Sequence, residues 1–288
     1  QLLNGRLADV PPFLIHDAAG LGVPDYVHLA SRLFAESAAI AQGHRQPQHA
    51  EGLVTTDPNL SVPLRCGLAS AGWLFFSGSL FDLSPSDFIA ALCLRLRVLP
   101  RVISKPIRCN CGHSSITDGE FIDHSLFCDQ AATFGAVHRH NEVVRILAMV
   151  ARSYGITSTL EPGFYAYENG RANRPDVTFF VRPPLAIDVT IVSPTFEVDV
   201  AAEKAAAEKK AKHSKAVELQ GHRFSAFAME VYGHQHSSCA DVYRVLSHEL
   251  EPAVRTAFIR EICNAAAAAL ARARVKTVVS AIVVQNAS

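Results

Sequence analysis

Apolar residues recur at helical spacing in two stretches of the first third, YVHLASRLFAESAAIAQ at 26–42 and SPSDFIAALCLRLRVL at 84–99. Ser84 stands where it can cap the second. The pattern changes from about residue 138. HRHNEVVRILAMVARSYG reads as a helix ending near Gly155, and ITSTLEPG as a short strand. The runs 175–181 and 185–192 read as two more strands, joined by a turn at Pro183 and Pro184. DVAAEKAAAEKKAKHSKAVELQG is a run of alanines and straight-chain charges, a strong helix former, stopped by Gly221. RFSAFAMEVYG gives a fourth strand, and helical runs at about 237–248 and 251–272 close the chain. The order α-β-β-β-α-β predicts an α/β fold, one sheet with helices packed on it.

Alternation sharpens the hairpin. Asp176, Thr178 and Phe180 share one face of the first strand, and Ala186, Asp188, Thr190 and Val192 share one face of the next. A turn centred near 182 or 183 makes even positions oppose even positions, so the two aspartates fall on the same face. Opposed Cβ atoms on adjacent strands lie roughly 4.5–5.5 Å apart. Two carboxylates that close repel, and one would be protonated unless a cation lies between them. Mg²⁺, which favours carboxylate oxygens and retained waters, is the expected cation.

The helix that follows offers partners. Lys209 and Lys212 are expected on the stripe of Ala202, Ala205 and Ala216, directed at the sheet, and either could orient or deprotonate a water. Glu161, just before the Pro162–Gly163 break, is a candidate third acidic ligand. The plainer alternatives are a solvated edge aspartate and a soluble lysine-rich helix face.

With 288 residues, the chain has room for more than one compact unit. Its 27 basic and 27 acidic residues cancel, so nucleic-acid binding finds no support in net charge and would need a local surface. The apolar runs are too short to span a bilayer, and the start lacks the features of a signal peptide, which implies an intracellular protein. A start at Gln1 rather than methionine suggests a piece of a longer or processed chain.

Seven cysteines are an odd number, which argues against a complete disulfide framework. Three of them fall in CNCGHSSITDGEFIDHSLFC. Cys109, Cys111, His124 and Cys128 form two close pairs separated by twelve residues, a donor set and spacing suited to tetrahedral zinc. His124 and Cys128 are one helical turn apart, while His113 is a weaker competitor for the same ion. Four protein ligands leave no open position for catalysis, so this zinc is expected to be structural. Buried cysteines beside a surface histidine are the alternative.

Taken in order, the Cys/His cluster, RHN at 139–141, RPD at 174–176, IDVT at 187–190, the lysine helix and FAMEVYG at 227–233 resemble one nuclease family. It is the restriction-endonuclease-like domain of the PD-(D/E)XK superfamily, found at the C-terminal end of site-specific non-LTR retrotransposon proteins. The resemblance covers roughly residues 106 to 235. The mainly helical region over 1–105 would then be the linker after a reverse transcriptase. A CCHC zinc knuckle would follow over 106–130, then an endonuclease-like domain with C-terminal helices over 131–288.

Asp176 and Asp188 would be Mg²⁺ ligands, and a lysine from the following helix, Lys209 or Lys212, would serve catalysis. Arg139, His140, Asn141 and Arg174 would meet nucleic acid. DNA is the implied partner, with RNA and the reverse transcriptase of the same polyprotein as further ones, and the implied location is nuclear. Two positions depart from the pattern: Thr190 stands where the superfamily usually has its lysine, and His213 where a tyrosine often follows the second lysine.

Overall fold

The computed structural model describes residues 107–109, 111–115, 117–165, 174–193 and 199–283, with single positions at 83, 87, 90, 91 and 94. The expected helix at 26–42, and most of the region 1–105, lie outside the described residues. Inside the expected 84–99 helix, positions 87, 90, 91 and 94 are helical, and Ala91 and Leu94 are buried.

Two short antiparallel strands, β1 (Ile107–Arg108) and β2 (Ser114–Ser115), lead into helix α1 (Asp118–Phe127). Thr117 starts α1 with a capping box: its side chain accepts from the Glu120 amide, and the Glu120 carboxylate accepts from the Thr117 amide. This satisfies two backbone groups at once and fixes where the helix begins. Helix α2 (Asp129–Ser153) follows directly, then β3 (Ser158–Leu160), β4 (Val177–Phe179) and β5 (Leu185–Val192). Helix α3 (Val200–Glu218), strand β6 (Arg223–Glu230) and helices α4 (Ser237–His248) and α5 (Pro252–Val283) complete the order.

The sheet runs β3-β4-β5-β6, antiparallel except for the parallel pair β5–β6. From residue 107 onward the described part of the protein is thus mixed α/β, with five helices and a four-stranded mixed sheet. A parallel pair needs a crossover, and α3 supplies it. Its C-terminal stop is the left-handed Gly221, at φ +71°, a conformation that costs glycine no Cβ clash.

Each face of the sheet has its own cover. On one, Val177, Phe179, Ile187, Val189, Phe227 and Met229 pack against α2, α4 and α5 to form the main core. On the other, α3 lays Ala202 and Ala206 over Ala226 and Ala228, and Val217 beside Ala186. Small residues on both sides let this helix approach closely. A third cluster joins Phe121, Ile122 and Leu126 of α1 to Val231, Tyr232 and the alanine face of α5.

Two helices exceed the expected lengths. Helix α2 begins at Asp129, nine residues before the expected 138, and runs through Gly135. A glycine inside a helix is unfavourable by itself, but here it marks a close approach. A Cβ at Gly135 would lie 2.5 Å from Cγ2 of Thr277 on α5. Helix α5 continues past 272 because Val275, Val278 and Ala281 extend its buried stripe.

Candidate functional site

The hairpin register pairs Val177 with Ile187 and Thr178 with Ala186, so the even positions of β4 oppose the even positions of β5. One step beyond the paired residues, Asp176 comes opposite Asp188. Pro175 has no N–H to give a ladder, and here β4 departs from regular pairing. The Asp176 amide donates to the Ile187 carbonyl at 2.9 Å, and the Asp176 carboxylate accepts from the Val189 amide at 2.6 Å. A side-chain oxygen thus fills the role a main-chain carbonyl has in an ordinary ladder, and it brings Asp176 to the residue next to Asp188.

Asp188 is 3% exposed, in the middle of a strand covered on both faces. A buried carboxylate without partners would be strongly destabilising. Helix α3 supplies the partners: Lys209 Nζ lies 2.5 Å from Oδ1, and His213 Nε2 lies 2.8 Å from Oδ2. Burial alone would raise the pKa of Asp188, but the pairs with His213 and Lys209 outweigh it and hold the group below its usual value. Asp176 has its own cation candidate in His140 of α2, whose Nε2 is 2.9 Å from Oδ2. Burial would lower His140, yet the contact with Asp176 prevails and raises it, aided by Asn141 and by the more distant charge of Asp188. His140 Nδ1 is 3.0 Å from Oδ1 of Asn141.

The sequence candidates therefore separate. The fold brings together Asp176, Asp188, Lys209 and His140, with Asn141 behind His140. Lys212 lies exposed on α3, away from the stripe that meets the sheet. That stripe is Ala202, Ala206, Lys209, His213 and Ala216, a 4-3-4-3 spacing that takes Ala206 and His213 where the expected stripe had Ala205 and Lys212. His213, fully buried, is thus a member of the site that the expected stripe left out. Glu161 follows β3 as an exposed residue at φ +43°. Its amide donates to the Asp176 carbonyl at 2.8 Å, and its carboxylate is not among the contacts of Asp176 or Asp188.

Arg139 also departs from expectation. It is 4% exposed, and Nη2 donates to the Leu126 carbonyl at 2.9 Å, so it faces the protein interior rather than a nucleic acid. Burial lowers its pKa to about 10. Arg174 is exposed, its guanidinium beside the turn at Gly163.

Cys109, Cys111, His124 and Cys128 converge, their ligand atoms all within 4.8 Å of one another. The Cys109 and Cys128 sulfurs are 3.7 Å apart, and Cys111 Sγ is 3.1 Å from His124 Nε2. The positive φ of Gly112, +88°, turns the chain between the strands, and the Cys109 amide closes that turn on the His113 carbonyl. His113 stacks on His124 with ring centroids 4.1 Å apart. Burial, with Cys128 nearby, pushes the Cys109 thiol up to about 11; a cation that binds thiolate would reverse that preference. Two sulfurs inside and two ligands at the rim form a donor set that could hold a metal ion and is compatible with structural zinc.

Fold and site define an α/β protein with a Cys/His cluster that could hold a metal ion and two opposed aspartates, Asp188 buried and Asp176 partly so, each met by basic side chains. No protein-family model matches the chain, and no curated protein matches its sequence. Among the described residues, no helix is long and apolar enough to cross a membrane.

Proposed function

We propose that the chain is a Mg²⁺-dependent DNA endonuclease of the restriction-endonuclease-like kind, from the C-terminal part of a non-LTR retrotransposon protein. The observation that carries the proposal is the opposition of Asp176 and Asp188 on neighbouring strands, with Lys209 reaching Asp188 from the crossover helix. Two hard carboxylate donors side by side suit Mg²⁺, and Asp176 and Asp188 would hold it. When bound, the ion would neutralise charge on a phosphodiester and make water a better nucleophile.

The remaining chemistry belongs to the chain. Lys209, 30% exposed at its side chain, is close enough to the pair to orient water or a phosphate oxygen. His140 steadies Asp176 from the other side. In the hydrolysis a water oxygen bonds to phosphorus and the P–O3′ bond breaks. A proton passes to the departing oxygen, leaving a 3′-hydroxyl that can prime reverse transcription. On this proposal DNA is the substrate, RNA and the attached reverse transcriptase are partners, and the nucleus is the place of action.

A second reading, a non-cleaving relative that binds nucleic acid or scaffolds an assembly, is favoured by one observation. Both oxygens of Asp188 are already engaged by Lys209 and His213, an arrangement that can serve stability alone. Nicking of supercoiled plasmid in Mg²⁺ separates the two. The nuclease converts plasmid to open circles, and Asp188→Asn abolishes the conversion. If Asp188→Asn nicks as well as the parent, the catalytic assignment is wrong; DNA binding without any nicking selects the second reading.

A further inference from the structure

The two partners of Asp188 differ in freedom. His213 is fully buried, its ring stacked on Phe224 with centroids 5.4 Å apart and planes 25° from parallel. It has no open direction in which to retreat. Lys209 holds the other oxygen with the tip of a flexible four-carbon stem and is 30% exposed. A hard cation entering between Asp176 and Asp188 needs a lone pair on one oxygen of each. Withdrawing the lysine into water restores its hydration, whereas withdrawing the histidine would strand a polar ring inside the protein.

We infer that His213 is the positioning residue of the acidic pair: it fixes Asp188 through Oδ2, presents Oδ1 to the metal, and leaves Lys209 as the partner released toward the scissile phosphate. The inference rests on the nuclease reading and assigns separate tasks within that site. Helix phase supports it, since Lys209 and His213 are one turn apart on the stripe that meets the sheet, and both therefore address the same carboxylate. It also gives a role to the residue standing where the resemblance suggests tyrosine.

The test uses the full chain and two measurements, Mn²⁺ affinity by calorimetry and the Mg²⁺ concentration giving half-maximal nicking, with thermal unfolding followed alongside. His213→Leu is expected to weaken both by roughly 10- to 100-fold, the usual loss when a group orienting a metal ligand is removed. His213→Gln, whose amide nitrogen can stand near the imidazole Nε2, is expected to recover most of the loss. Should the leucine variant not fold, His213→Asn takes its place, because its shorter amide falls away from Asp188. Glutamine near parental affinity with asparagine weakened supports the role, and equal affinities for the two overturn it. A folded leucine variant with parental Mn²⁺ affinity also overturns it. A parent that neither binds Mn²⁺ nor nicks overturns the nuclease reading itself, and this inference with it.

Discussion

Arg139 donates through Nη2 to the main-chain oxygen of Leu126, 2.9 Å away in the last turn of α1. The final carbonyls of a helix have no partner within it, and here a buried guanidinium from the next helix supplies one. The expected result of Arg139→Met is a loss of about 1.5–3 kcal/mol in unfolding free energy, the scale of a hydrogen bond from a charged donor. The salt dependence of DNA binding should stay as in the parent. If instead the slope of log affinity against log salt falls by about one while the thermal midpoint holds, Arg139 contacts phosphate.

Lys209 and Lys212 are three residues apart but differ in direction, one on Asp188 and the other in solvent. Lys209→Ala should slow single-turnover nicking by roughly 10²- to 10⁴-fold, the range for a lost proton-handling group. Lys212→Ala should leave the single-turnover rate nearly unchanged at saturating protein, whatever it does to DNA affinity. The reverse ranking would mean that α3 turns when DNA binds.

Cys128 ends α1 and immediately precedes α2, in addition to offering a thiol to the Cys/His cluster. One equivalent of zinc per chain is the expected result of elemental analysis, and Cys128→Ser should lose it. Zinc sites of this size contribute on the order of 10 kcal/mol of binding free energy to folding. Chelation should therefore lower the thermal midpoint strongly, with recovery when zinc is returned. A midpoint indifferent to chelator would make the four residues ordinary packing.

Tyr154, at the end of α2, donates to Glu261 Oε2 on α5 at 2.7 Å. Burial, then the pair with Glu261, pushes its pKa up to about 12. The native state thus favours the protonated phenol, while the unfolded chain ionises near the ordinary tyrosine value, about 10. The stabilisation is complete below that value and lost as pH rises from about 10 to about 12. Unfolding midpoints measured across this window should fall more steeply for the parent than for Tyr154→Phe. Parallel curves for the two would remove Tyr154 as the cause.

The parts of the site visible in the sequence are those governed by a rigid repeat. Strand alternation has a period of two, so a turn near 182 or 183 was enough to put Asp176 and Asp188 on one face, and the register then sets them opposite each other. The Cys/His spacing works in the same way, because a helical turn separates His124 from Cys128. Helix α3 offered no such constraint. Alanines at 201, 202, 205, 206, 207, 211 and 216 occur around much of its circumference, so several stripes fit equally well and the sheet-facing one stays ambiguous by a residue. That one-residue ambiguity is the difference between Lys212 and His213. The destination of Arg139 was hidden for another reason: its partner is a main-chain carbonyl, which any residue at 126 would provide. The early start of α2 was obscured by Gly135, whose place in the helix depends on Thr277, far along the chain.

The parallel pairing of β5 with β6 also decides which part of the chain looks after Asp188. Asp188, Lys209 and His213 all lie within the crossover from Leu185 to Glu230, whereas Asp176 and His140 come from earlier segments. In the folded chain α3 lies between β5 and β6 in sequence and packs over them, and its stripe carries the lysine and histidine onto the carboxylate. The element that covers Asp188 is therefore also the one that compensates its charge, so the burial and the pairing of this carboxylate belong to one β-α-β unit.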